Sequence, residues 1–114
     1  MPADRMRRVN EALKEVLSTH IAGDLHDPRV GFVTVTSVET SPDLRRARVY
    51  VSVLGGEDER ERSLAGLDAS HGYLQSQLAA ELRLKRTPVL EFVYDDSIDT
   101  GMRISGLLKE EESR

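Results

Sequence analysis

The sequence contains no cysteine, so disulfide bonds and zinc sites built on thiolates are excluded. It has no apolar run near the roughly 20 residues that a membrane-spanning helix needs, and its first residues lack the apolar core of a signal peptide. We therefore expect a cytoplasmic protein with no membrane partner. A length of 114 residues with 39% hydrophobic content is enough for one compact core and too little for two.

Neither sign of charge dominates the chain, but the two signs are segregated. The net charge is −4 at pH 7, which argues against a generic cationic protein that coats nucleic acid. Acidic residues gather at 57–59, 95–96 and 110–112. Basic residues form three clusters along the chain: Arg5, Arg7, Arg8 and Lys14; Arg45, Arg46 and Arg48; Arg83, Lys85 and Arg86. This pattern allows a local basic surface on an acidic protein.

Apolar spacing and turn residues predict the order helix, strand, strand, helix, helix, strand. The first helix has Asp4 as its N-cap and ends at Gly23. The remaining elements are strands over about 33–36 and 44–54, helices over 58–69 and from about 73 to 82, a last strand from 88, and a short C-terminal helix. We expect one domain over 1–108 and a charged, disordered tail over 109–114.

The connections predict how the three strands pair. A short turn makes the first two an antiparallel hairpin, and a crossover of two helices makes the second and third parallel neighbours. The helices bury their apolar stripes on one face of this mixed sheet, and the other face carries Thr34, Thr36, Arg46, Arg48 and Tyr50. This α+β layout is that of a type II KH domain, an RNA-binding architecture. With Tyr50 the only aromatic residue on the open face, base stacking is poorly supported.

Three histidines among many carboxylates raise the question of catalysis or metal binding. His20 lies near the buried stripe of the first helix, where a core or boundary histidine is the simpler interpretation. His26 lies beside Asp24 and Asp27 without any ligand pattern of recognised spacing, and the acids at 95–96 suit the start of a final helix. Neither a Gly-x-Ser-x-Gly elbow nor a Gly-x-x-x-x-Gly-Lys loop occurs. We predict a protein that is not an enzyme, with no metal or cofactor.

Several segments in a fixed order carry a resemblance to a known family. They are Arg8-Val9, Asp27-Pro28-Arg29 with Val33-Thr34-Val35-Thr36, Ser41-Pro42-Asp43-Leu44 with Ala47-Arg48-Val49-Tyr50-Val51-Ser52, and Pro88 with Phe92-Val93-Tyr94-Asp95-Asp96-Ser97. In this order and spacing they resemble ribosome-binding factor A, a bacterial assembly factor of the small ribosomal subunit. The resemblance spans nearly the whole chain.

The loop between the paired helices departs from both the KH pattern and the family. The usual Gly-x-x-Gly is missing, and the Ala-x-Gly kink of the family aligns with Ser70-His71-Gly72. We expect Gly72 to break the helix and the Ser70 hydroxyl to cap the next one. Gln75 and Lys85 stand where the family often has arginine, and Lys85 can contact phosphate only as a point charge.

The resemblance implies a protein that binds the immature small (30S) ribosomal subunit and its 16S ribosomal RNA. It would assist late maturation and end processing of that RNA and leave before translation, binding free small subunits and not mature ribosomes. We expect a monomer, and at the level of the family a guanosine triphosphatase is a candidate for driving its release.

Two classes of function remain open on the residues themselves. Three basic clusters in one fold favour phosphate contacts, which give salt-sensitive affinity without sequence choice. The alternative is a KH-like protein–protein interaction module with no direct RNA role, whose arginines serve solubility or an acidic partner. The residues that we expect at the RNA are Arg7, Arg8, Arg45, Arg46, Arg48, Ser70, His71, Gly72, Lys85 and Arg86.

Overall fold

The computed structural model of the chain describes residues 2–97, with side chains from residue 4 onward. Its elements are α1 (Pro2–Gly23), β1 (Val33–Thr40), β2 (Arg46–Val53), α2 (Glu57–Ala69), α3 (His71–Glu81) and β3 (Val89–Tyr94). In these residues the sheet has the order β1-β2-β3, with β1 and β2 antiparallel and β2 and β3 parallel. The predicted α+β layout of a type II KH domain is thereby confirmed. The predicted C-terminal helix and the tail over 109–114 lie outside the described residues.

The core lies between one face of the sheet and the helices. The helical spacing of three and four residues and the alternation of the strands bring apolar side chains to this layer. Its fully buried members include Leu13, Leu17, Val49, Val51, Leu67, Leu74 and Leu78. Burying each of the leucines stabilises the fold by about 1.5–3 kcal/mol relative to exposure.

The first helix begins earlier than the sequence predicted. It starts at Pro2, so Asp4 lies in its first turn and is not the N-cap. Proline suits the first helical position, because the missing N–H would have no partner there, and a carboxylate in the first turn interacts favourably with the helix dipole. Of the helices in residues 2–97, none is long and apolar enough to span a membrane.

A β-bulge at Thr36 interrupts the alternation of β1. The register against β2 shifts here, so Val38 returns to the buried face while Ser37 and Glu39 point to the opposite one. The Thr36 hydroxyl lies 2.6 Å from a carboxylate oxygen of Asp95, a buried residue at the end of β3. The strand therefore continues to Thr40, four residues beyond the point where the simple alternation ends.

Candidate nucleic-acid interface

Three arginines converge at the end of the sheet where β2 and β3 begin. Arg46 starts β2, Arg45 precedes it and Arg86 precedes β3, and all three line one groove with Thr87 and Val89. Because parallel strands start at the same end of a sheet, the pairing of β2 with β3 brings these segments together. The Val89 N–H donates to the Arg45 carbonyl at 2.9 Å and holds them in register. We call Arg45, Arg46 and Arg86 the arginine end.

One carboxylate, Asp43, orders the turn at the arginine end. Its Oδ1 accepts hydrogen bonds from the Ser41 hydroxyl at 2.7 Å and the Arg45 N–H at 3.1 Å. These hydrogen bonds, helped by the charges of Arg45 and Arg86, lower the pKa of Asp43. The ion pair from Asp43 to the Arg45 side chain is long, 3.5 Å, and exposed. An exposed pair of this kind is worth little, so the Arg45 guanidinium can exchange its partner for a phosphate.

Arg48 lies in a different electrostatic setting on the outer face of the sheet. In register it stands between Glu39 of β1 and Glu91 of β3. Its Nε lies 2.9 Å from the Glu91 carboxylate, and its side chain is only 21% exposed. Since two carboxylates flank this guanidinium, it contributes less positive potential at the surface than Arg46. Of the two predicted phosphate ligands on β2, Arg46 is the more accessible.

Tyr50 does not lie on an open face, so that part of the prediction is wrong. It has the strand parity of Arg46 and Arg48, yet it is only 4% exposed and stands between Ser37 of β1 and Val93 of β3 in register. A buried ring cannot stack on an RNA base. Tyr50 therefore gives no reason to expect base stacking on this face of the sheet.

The junction between α2 and α3 is a single residue, Ser70. Its backbone angles, φ −97° and ψ 4°, leave the helical region, and its N–H donates to the carbonyls of Gly66 and Leu67. Its hydroxyl makes no capping hydrogen bond to α3, contrary to the prediction. At the end of α2, Nδ1 of His71 lies 2.6 Å from the Asp68 carbonyl oxygen, which accepts a hydrogen bond there.

We had predicted that Gly72 breaks the helix, and this is wrong. Gly72 lies inside the first turn of α3. Its φ is not positive, and among the described residues nothing lies within 4 Å of the position that a Cβ would occupy. The kink therefore depends on the backbone of Ser70 and needs no glycine at position 72.

The remaining predicted residues are dispersed over other surfaces. Arg7 lines a groove between α1 and β1 together with Asn10 and Lys14. Arg8 is exposed on α1, and Lys85 is exposed in the segment between α3 and β3. The arginine end thus brings three predicted residues, Arg45, Arg46 and Arg86, to the same groove.

Comparison with known proteins agrees with the fold and with the sequence motifs. The family model for ribosome-binding factor A matches residues 5–108. The chain belongs to the ribosome-binding factor A family.

Relatives of known sequence or structure match over most of their length. Ribosome-binding factor A of Brevibacillus brevis is 46% identical over 110 residues, which cover 96% of this chain and 91% of that protein. The crystal structure of ribosome-binding factor A from Thermus thermophilus superposes with a TM-score of 0.70 at 32% identity, over 78% of this chain and 94% of that one. Thermus thermophilus ribosome-binding factor A, as a homology model fitted into the cryo-EM map of a 30S complex, gives a TM-score of 0.64 at 33% identity, covering 76% and 91%.

In this member of the ribosome-binding factor A family, α2 holds the turn at Asp27 through contacts that the sequence reasoning missed. The Gly31 N–H donates to the Ser63 hydroxyl at 3.1 Å, and Ser63 is almost fully buried. A Cβ on Gly66 would lie 2.7 Å from a methyl carbon of Val30, so only glycine allows this close approach. Glycine inside a helix lowers stability relative to alanine. The presence of a glycine within the predicted helix is therefore the sequence signal that could have indicated this close contact.

The Asp27 carboxylate orders the turn that leads to β1. This carboxylate binds the Arg29 side chain at 2.7 Å and the Arg29 N–H at 2.9 Å. These bonds lower the pKa of Asp27 to about 2. Among the described residues, we find no group of three or more histidine, aspartate or glutamate side chains arranged to hold a metal ion.

His20 joins the end of α1 to α3, in agreement with its interpretation as a boundary histidine. Its Nε2 pairs with the Glu81 carboxylate, and its Nδ1 lies 2.9 Å from Asp24. The Tyr73 hydroxyl donates to the same aspartate. Hydrogen bonds to Glu81 and then to Asp24 raise the pKa of His20. The cluster has the chemistry of a structural ion pair between two helices.

Proposed function

We propose that this chain binds the free small (30S) ribosomal subunit and its 16S ribosomal RNA, and that it assists late maturation and processing of that RNA without being an enzyme. Membership of the ribosome-binding factor A family supports this proposal, as does the Thermus thermophilus relative that was fitted into a map of a 30S complex. The observation that carries it is the arginine end, a convergence of three arginines on a protein whose net charge is −4.

The arginine end suits the phosphate backbone of folded RNA. A guanidinium donates two parallel hydrogen bonds to a phosphate, which a point charge cannot do. Arg45, Arg46 and Arg86 are exposed and lie on short segments that the sheet and the Asp43 turn hold in place. Contacts of this kind fix position and orientation without reading sequence. Such phosphate contacts suit a protein that recognises the shape of a folded ribosomal RNA surface.

The other predicted contacts extend the proposed interface. Arg7 and Arg8 would reach the RNA from α1, and Lys85 from the segment before β3. The junction at Ser70, His71 and Gly72 would approach it through exposed backbone. Arg48 would contact phosphate beside Arg46, although Glu91 offsets part of its positive charge.

We also propose how the protein engages and leaves its partner. It acts in the cytoplasm as a monomer and prefers free small subunits to mature ribosomes. Phosphate contacts are individually weak and sensitive to salt, so a guanosine triphosphatase that remodels the subunit could displace them together.

Co-sedimentation with purified small subunits, large subunits and whole ribosomes across a salt series tests the proposal. We expect selective binding to small subunits that weakens with salt, and weaker binding by the Arg46→Ala/Arg86→Ala variant. The control is Arg62→Ala, which removes one positive charge from an exposed position on α2. Absence of the unaltered chain from every ribosomal fraction at low salt would refute the proposal.

A KH-like protein–protein interaction module with no direct RNA role is the second candidate function. It predicts no affinity for protein-free 16S ribosomal RNA, whatever the arginine variant does to binding of small subunits. Measuring binding of the same two variants to that RNA separates the two functions.

A further inference from the structure

Two large apolar side chains are exposed side by side at the opposite end of the β1–β2 pair. Phe32 is 79% exposed and Leu54 is 74% exposed. The Leu54 N–H donates to the Phe32 carbonyl at 3.0 Å, which makes the two residues the next rung of the ladder after Val33 and Val53. We call Phe32 and Leu54 the apolar pair. It lies where β1 begins and β2 ends, away from the arginine end.

The fold does not need an apolar residue at either position. Val33 and Val53 face the core layer, so strand alternation directs the apolar pair to the other face. Neither Phe32 nor Leu54 belongs to the core or to the side chains packed against it. Adjacent large apolar groups left in water by a folded protein are typical of an interaction site.

Carboxylates adjoin the apolar pair along the chain. Leu54 leads through two glycines into the first turn of α2, where Glu57, Asp58 and Glu59 are all exposed. Glu59 folds back over this link, since its side chain would lie 2.9 Å from a Cβ on Gly55 and its carboxylate accepts the Gly56 N–H at 3.1 Å. The link thus keeps negative charge close to the apolar pair.

Two cations in the adjoining segments have partners within the protein. The Arg29 side chain is bonded to Asp27 through two nitrogens. The guanidinium of Arg60 lies 3.7 Å from the centre of the Tyr94 ring. In the segment 57–62 that follows Leu54, four carboxylates are exposed (Glu57, Asp58, Glu59 and Glu61) and one arginine, Arg62, is exposed. This segment therefore presents more negative than positive charge, the reverse of the arginine end.

We propose that the apolar pair docks a lysine- or arginine-rich protein segment. The segment places an apolar side chain against Phe32 and Leu54 and its cations beside the carboxylates at 57–59. This inference rests on the proposed function, because the segment would belong to a protein of the small subunit. An RNA strand stacked on Phe32 would bring its phosphates towards those carboxylates, and like charges at an interface are costly. The charge pattern therefore selects a basic protein segment over RNA.

Paired binding measurements and a crosslink test the inference. We expect Phe32→Ser/Leu54→Ser to weaken binding to small subunits at least about tenfold, while Phe32→Leu retains it. Binding to protein-free 16S ribosomal RNA should not change, and the melting temperature should stay close to that of the unaltered chain. A photoreactive Phe32→benzoylphenylalanine variant, irradiated on small subunits, should give an adduct that carries the added mass of another protein on a denaturing gel and that ribonuclease leaves unchanged.

Four other outcomes would overturn the inference. They are an adduct with RNA, an adduct with a second copy of this chain, unchanged binding to small subunits, and an equal loss of binding to protein-free RNA. The arginine variant measured in parallel keeps the two proposals separate. If the unaltered chain binds no small subunits at all, the proposed function fails and this inference fails with it; if only the arginine variant loses binding, this inference alone fails.

Discussion

His20 shows how one side chain can connect two helices through charge. Its two ring nitrogens contact carboxylates on different elements, Asp24 after α1 and Glu81 at the end of α3. The sequence places His20 near the buried stripe of α1, and that much was predicted. Its partner Glu81 could not be predicted, because it lies 61 residues away and only the crossing of α1 and α3 brings them together.

The His20 cluster predicts a pH-dependent contribution to stability. The pKa of His20 is raised in the folded protein. The stabilisation of the fold by protonated His20 is therefore complete below the unfolded pKa of about 6.5 and is lost as the pH rises through the raised pKa. We expect His20→Gln to lower the melting temperature more at about pH 5.5 than at about pH 8.5. His26→Gln, at an exposed loop position, is the control. An equal effect of His20→Gln at both pH values would contradict the prediction.

At the scale of elements, the sequence predicted the order and pairing of helices and strands because burial of apolar faces sets both. The exceptions are local. In β1, the alternation of apolar and polar residues ends at Thr36 because of the bulge. In β2, alternation could not show that Tyr50 is buried, since both faces of a strand can be buried. The start of α3 was predicted two residues too late because glycine is the usual helix breaker, whereas the break is at Ser70. Helix spacing alone also could not show that Gly66, and not Gly72, makes the close contact.

These two helical glycines give a matched pair of substitutions. We expect Gly72→Ala to stabilise the protein by about 0.5–1 kcal/mol, since the methyl group meets no described atom and the unfolded chain loses freedom. Gly66→Ala should destabilise it by about 1–3 kcal/mol, because the methyl group would collide with Val30. Urea unfolding measures both. A loss of stability in Gly72→Ala comparable to that in Gly66→Ala would show that the kink does require a glycine.

At the scale of the whole molecule, the sheet separates charge between its two ends. The arginine end lies where β2 begins, and the carboxylates at 57–59 follow the point where β2 ends. The clusters in the sequence indicated three basic regions but not which of them meet. Pairing of β2 with β3 joins Arg45 and Arg46 to Arg86, while Arg7 remains in the groove beside β1. An acidic protein can in this way present a local basic surface without becoming a generic binder of nucleic acid.

This arrangement predicts which arginine on β2 governs the salt dependence of binding. Loss of one phosphate contact should reduce the slope of log K against log salt concentration by about 1, and we expect this for Arg46→Ala. The comparison is Arg48→Gln/Glu91→Gln, which removes an ion pair on the same face without changing the net charge. Because the Arg48 guanidinium is already held by a carboxylate, this double variant should leave the slope unchanged. Titration of small subunits at several salt concentrations measures both slopes, and a larger change in the double variant would place the phosphate contact at Arg48 instead.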